Sequence, residues 1–140
     1  MKIIYEQPNG VVAIIIPAGD VQDAIKDVPA GTPYEIVEDS VIPSDRTFRN
    51  AWKKNGKAVE TDVAKAKDIC HDCRRAKRSE EFAPLDVKAT IPAKAAQAEA
   101  ARQAVRDKYD AIQVEIDAAT TPEALKAIID THKLAEADNV

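Results

Sequence analysis

The apolar vocabulary of this chain changes at one place, and that change limits what it can build. Up to Ile42 the apolar residues are mainly Ile and Val, in short runs broken by Pro and Gly. Beyond Trp52 they are chiefly Ala, spaced three and four apart among charges. Runs of β-branched and aromatic residues suit strands, and Ala at that spacing suits helices. The expected class is therefore α+β: a small N-terminal antiparallel β unit with short helices over 1–60, then an extended helical, coiled-coil-like region over 61–140. A chain of 140 residues has room for one domain, or a small domain with a helical extension.

The junction, Ile42–Trp52 (IPSDRTFRNAW), holds the only Trp and one of two Phe. Ser44 reads as a helix N-cap and Asp45 as an acid at the positive end of the helix dipole. On such a helix Phe48 and Trp52 share one face, and they are expected to be the structural core that closes the β unit. Arg46 and Arg49 fall on other faces and are expected to be exposed contacts for a partner protein.

Before the junction, Ile3–Tyr5 and Val11–Ile16 flank Asn9-Gly10, the strongest short hairpin signal, because both residues tolerate positive φ. Val11–Ile16 is apolar throughout and is expected to be covered on both sides. Asp20 caps a brief helix over 21–27, Pro29–Pro33 is a turn, and Tyr34–Val37 is a third strand. After the junction, Asn55-Gly56 marks a second tight turn, and Lys57–Val59 reads as a short strand. Thr61 is expected to cap a helix over 62–82, which Pro84 ends. Its apolar stripe is Val63, Ala66, Ile69/Cys70, Cys73 and Ala76. Residues 85–91 form a linker, Pro92 opens a long helix over 93–119, and Thr121-Pro122 starts the last, over 122–137. In the long helix Ala98, Ala101, Val105, Tyr109, Ile112, Ile116 and Ala119 are spaced 3, 4, 4, 3, 4, 3, a coiled-coil-like seam. Two arrangements can bury it: an antiparallel bundle within one chain, or parallel copies of several chains. The last helix offers only Leu125, Ile128 and Ile129 as cover. Self-association, as a trimer, is therefore the expectation, with Val105, Tyr109, Ile112 and Ile116 at the interface.

Candidate chemistry is sparse. Cys70 and Cys73 lie on one helix face and could supply two thiolates to a metal, but only His71 and the distant His132 could add nitrogen. A redox pair would sit at a helix N-terminus, where the thiol pKa falls, and these are mid-helix. They are read as apolar packing, with no metal and no cofactor expected. Arg74, Arg75, Lys77 and Arg78 make a basic cluster that could meet nucleic-acid phosphate or an acidic partner. No aromatic residue is interleaved and Glu80-Glu81 follows, so a solvated face is the plainer reading. The net charge of −4 also speaks against bulk binding to nucleic acid or to an anionic membrane. His132 reads as a partly buried structural histidine. No P-loop, GxSxG or HExxH string is present, so no enzymatic activity is expected. No apolar run approaches the length of a membrane-spanning helix, and MKIIYEQPNG has no signal-peptide core, so synthesis in a cytoplasm is expected.

Three strings carry a resemblance. KDVPAGTPYEIV at Lys26–Val37, the DRTFRNAW string ending at Trp52, and KAVETDVAKAKDI at 57–69 occur in that order. This order resembles a family of small proteins of tailed bacteriophages, encoded among tail and tail-fibre genes. ARQAVRDKY at Ala101–Tyr109, with IDAATTPEALKAI after it, resembles segments that recur in the same setting. Cys70-His71-Asp72-Cys73 departs from the pattern, which has charged helix residues there. The resemblance implies a non-enzymatic structural or assembly protein of the virion: a tail-fibre accessory, an adaptor or a tail assembly chaperone. It would be made in the host cytoplasm and would contact other tail or fibre proteins. It carries over no catalytic residue. The competing expectation is a small nucleic-acid-binding regulator that uses Arg74–Arg78.

Overall fold

The computed structural model describes residues 1–135; the last helix, expected over 122–137, ends at His132, where Lys133 turns left-handed, and 136–137 lie outside the described residues. The chain divides into two compact units, Met1–Lys65 and Ala66–Val140. The class is α+β, as the change in apolar vocabulary indicates.

The first unit is built on a three-stranded antiparallel sheet of β1 (Lys2–Glu6), β2 (Val12–Ile15) and β3 (Tyr34–Val37), in the order β2-β1-β3. The β1–β2 register pairs Ile3 with Ile15 and Glu6 with Val12. The connecting turn uses Asn9-Gly10 differently from the expected two-residue loop. The Gly10 N–H donates to the Gln7 carbonyl at 2.9 Å, and the Asn9 side chain accepts from the Val11 N–H at 3.0 Å. Only Gly10 takes positive φ, at 81°. This is a four-residue turn over Gln7–Gly10 whose last residue is a left-handed glycine, the next commonest hairpin closure. Asp20 caps α1 (Val21–Ala24) by accepting from the Gln22 N–H, and a 3₁₀ turn over Ile25–Asp27 continues it. The turn at Pro29 places Gly31 at φ +78° and closes with the Thr32 N–H on the Pro29 carbonyl.

The central strand is covered on both faces. Ile3 points to the side where α1 lies against β1, and both Ile3 and Ala24 are buried. Ile4, Val12 and Val37 share the opposite face with the half-buried Ile14, and there they meet Trp52, Val41, Ile42 and Val59 in one apolar cluster. Strand β2 lies at the sheet edge, yet Val12 and Ala13 on its opposite faces are both buried, and the cover gives out beyond its end, where Ile16 is 72% exposed.

The expected helix over 45–52 does not form. Asp45 turns its carboxylate onto the Thr47 N–H at 2.9 Å and the Thr47 hydroxyl at 2.6 Å, a local closure that competes with a helix start. Two short turns follow, from the Arg49 N–H to the Arg46 carbonyl and from the Ala51 N–H to the Phe48 carbonyl. Trp52 then opens strand β4 (Trp52–Asn55), paired with β5 (Ala58–Thr61) as a second hairpin. Gly56, at φ +59°, takes the first of its two loop positions, as a type II′ turn requires. Phe48 and Trp52 are buried, as expected, but a turn and a strand bring them there instead of one helix face.

Helix α2 (Val63–Ala89) begins one residue later than expected. Thr61 ends β5, and Asp62 is the cap, its side chain accepting from the Lys65 N–H at 3.2 Å. The helix also runs through Pro84, where it was expected to stop. Proline removes the N–H that would reach the Glu80 carbonyl, but both residues are exposed, so water can serve that carbonyl. Residues 85–89 are therefore helix, and the linker shrinks to the turn around Ile91-Pro92.

In the second unit, α3 (Ala95–Ala118) runs antiparallel to α2, and α4 (Pro122–His132) follows after a short connection. Side-chain pairs fix the α2–α3 direction: His71 hydrogen-bonds Asp117, and ion pairs join Glu81 to Lys108 and Asp86 to Arg102. Ala98, Tyr109, Ile112, Ile116 and Ala119 are buried, so the expected seam is the core stripe of α3. It is covered inside the chain, with Ala66 and Cys70 of α2 and Leu125 and Ile129 of α4 also buried. Thr121 caps α4 by accepting from the Ala124 N–H. At the other end Lys133 turns left-handed at φ +51°, the Leu134 N–H returns to the Ile129 carbonyl, and Leu134 is buried.

Candidate functional site

The two proposed partner contacts of the junction separate. Arg46 is exposed, as expected. Arg49 is not a free contact: its Nη1 donates to the Val12 carbonyl at 3.0 Å, and its guanidinium lies 4.9 Å from the Trp52 ring centroid. Arg49 thus seals the edge of β2 over the apolar cluster.

The expected interface residues Tyr109, Ile112 and Ile116 are 2%, 1% and 0% exposed, and Val105 is half-buried. In this arrangement they form core, because the antiparallel return of α2 and the docking of α4 cover the stripe that parallel copies were expected to cover. The Tyr109 hydroxyl is pushed up, first by burial and then by Glu81.

The cysteines pack as expected. Cys70 is fully buried and Cys73 half-buried, both free. Burial raises both thiols, Cys70 to about 12, with Cys73 adding to it. A thiol held that high is scarcely ionised at neutral pH and so is a poor nucleophile. Among the described residues no group of three or more His, Cys, Asp or Glu could hold a metal ion. No helix among them is long and apolar enough to cross a membrane.

The basic cluster does not make one face. Arg74 is 8% exposed; it takes the place on the α2 stripe that the sequence had suggested for Ala76, which is exposed. Its Nε donates to His71 Nδ1 at 3.3 Å, so His71 carries its proton on Nε2 and donates it to Asp117 Oδ1 at 2.8 Å. Lys67 Nζ donates to the Asp117 carbonyl, so two side chains of α2 hold the end of α3, with Arg74 bracing His71 from behind. Desolvation, more than its basic neighbours, lowers the Arg74 pKa. Arg75 pairs with Asp72 and Lys77 with Glu80. His132 is a half-buried tie from α4 to α3, 2.7 Å from Glu115 Oε2.

Arg78 has a different setting. It faces a groove of about 400 Å³ between α2 and α3, lined by Arg78, Ser79, Phe82, Asp86, Arg102 and Arg106, with Ala83 at its side. The Arg78 guanidinium lies 4.7 Å from the Phe82 centroid and that of Arg106 lies 5.9 Å from it. Arg102 Nη1 and Arg106 Nη1 donate to the two oxygens of Glu99, at 3.0 and 2.9 Å. These bonds, Arg106 first, lower the Glu99 pKa. Arg102 Nε lies 3.0 Å from Asp86 Oδ1, close enough for an ion pair though not aligned as a hydrogen bond. Arg102, Arg106 and Phe82 escaped sequence reasoning. The available signals were the i, i+4 spacings of Arg78 with Phe82 and of Arg102 with Arg106. The antiparallel pairing that brings the two rows together is tertiary.

Comparison of the chain with protein-family models, curated proteins and solved structures finds no match.

Proposed function

We propose that the protein is a non-enzymatic structural or assembly component of a bacteriophage tail or its fibre, acting through protein–protein contacts. The phage setting rests on the resemblance carried by Lys26–Val37, the DRTFRNAW string and 57–69. The contact role rests on one structural observation, the arginine-lined groove between α2 and α3. Arginine on an aromatic ring in a concave, partly desolvated place is the kind of group that dominates protein interfaces. The basic cluster offers less to nucleic acid, because Arg74 is turned inward and Arg75 and Lys77 are paired with neighbours on the same helix.

The test is the composition of purified particles and the effect of deleting the gene. A fixed, symmetric copy number in particles identifies a tail component. Absence from particles, together with loss of assembled tails in the deletion, identifies an assembly chaperone. Absence from particles with tails assembled normally refutes the reading.

A further inference from the structure

Arg102 and Arg106 already hold a carboxylate, and it belongs to their own helix. Glu99 is three residues from Arg102 and seven from Arg106, and its side chain is 55% exposed. It therefore reaches both guanidiniums from the solvent side and can be displaced without moving the backbone. Arg78, on the opposite wall, has no carboxylate partner among the described residues; its guanidinium is held by the Phe82 ring. A guanidinium on an aromatic face is weakly hydrated and keeps its in-plane donors for a second partner. Counting the groove charges, Arg78, Arg102 and Arg106 face Asp86 and Glu99, which leaves one positive charge in excess.

The groove also has a direction. Ser79, Ala83 and Val87 stand four apart along α2, so Val87 continues the row that lines it. Val87 is 66% exposed, and Ile91 in the turn beyond is 39% exposed. At 1.5 Å per residue, Arg78 and Val87 are about 13 Å apart along the helix. A ligand complementary to this row carries a carboxylate at one end and apolar side chains two to three helical turns away.

We propose that the α2–α3 groove docks an acidic, apolar-flanked segment of a partner protein, whose carboxylate replaces Glu99 on Arg102 and Arg106 and also engages Arg78. Glu99 is then a built-in competitor that occupies the arginines until the partner arrives. A nucleic-acid strand fits less well. Two carboxylates stand among the arginines, and the Phe82 ring is engaged by two guanidiniums, which leaves it poorly placed to stack a base. The proposal rests on the protein-contact reading, yet it is tested separately: particle composition reports the assembly role, and peptide binding reports the groove.

The experiment is fluorescence anisotropy with a labelled Glu/Leu-rich peptide at low and high salt, and with labelled oligothymidylate beside it. The full chain is compared with Arg106→Gln, Arg78→Gln and Glu99→Gln. The expected result is salt-sensitive peptide binding, weakened about tenfold by either arginine substitution. Glu99→Gln should strengthen it several-fold, because the competitor has lost its charge. Glu99 is exposed and the change is isosteric, so this variant keeps its fold, and helix content by circular dichroism verifies that. Peptide binding that Glu99→Gln leaves unchanged or weakens would overturn the proposal. So would no peptide binding at all, or binding of the oligonucleotide in preference to the peptide.

Discussion

Replacing Trp52 with Ala tests how the first unit is held together. The indole is 2% exposed and meets Ile4, Val12 and Val37 from the sheet and Val59 from the second hairpin, with Arg49 against its ring. Truncating a buried Trp to Ala costs about 3–5 kcal/mol, since transfer energy is lost and a cavity remains. A unit of 65 residues has a total stability of about 3–10 kcal/mol. The substitution therefore removes a large share of it. At about 4–8 °C per kcal/mol for a domain of this size, its melting temperature falls by at least about 12 °C. The variant has no tryptophan, so fluorescence cannot follow it; amide hydrogen exchange in β1 can. Protection at Ile3, Ile4 and Tyr5 should drop by about a hundredfold or more, the factor that 3 kcal/mol implies. A melting shift under about 4 °C with unchanged β1 protection would mean that Trp52 does not support the sheet, and the reasoning would fail.

Ile112→Asp with Ile116→Asp places two carboxylates among fully buried positions, so the helical unit should lose its far-ultraviolet helix signal. A folded monomer released from a larger species would instead restore the intermolecular seam. Cys70 is more strongly protonated in the folded chain than in the unfolded one, its thiol moving from 9.0 to about 12. Its contribution to stability is therefore full below pH 9 and is lost as pH rises through about 12, because the unfolded chain gives up its proton first. Urea midpoints across that range should fall more steeply for the wild type than for Cys70→Ala; equal slopes would refute it. Asp62→Ala should destabilise by about 1 kcal/mol through loss of the α2 cap, read from denaturant midpoints, whereas Thr61→Ala should leave that cap intact. Gly10→Ala should cost about 1–2 kcal/mol, because φ is +81° there and a Cβ would stand 3.1 Å from Lys65 Nζ. An unchanged melting temperature would show that the turn can relax.

Much of the local structure was legible in the chain. Asn9-Gly10 between β-branched runs announced the first hairpin, Asp20 and Thr121 announced their helices, and the spacing of Ala98 through Ala119 marked the buried face of α3. These signals act within a few residues, through φ preferences, caps and periodicity, so they can be read without knowing what lies opposite. The junction failed for the same reason in reverse. Ser44 and the Phe48–Trp52 spacing satisfy the local rules for a helix, yet the cluster of Ile4, Val12, Val37 and Val59 takes Trp52 as a strand residue. Asp45 closes a tighter turn at no comparable cost. Periodicity also shows that a stripe is buried and not what buries it. Within this chain the stripe of Ile112 and Ile116 is buried together with residues of α2 and α4, and the Pro84 position had obscured how far α2 reaches. The arginine groove is tertiary in the same sense. Each arginine row is ordinary on its own helix, and only the pairing of α2 with α3 sets Arg78, Arg102 and Arg106 around one phenyl ring.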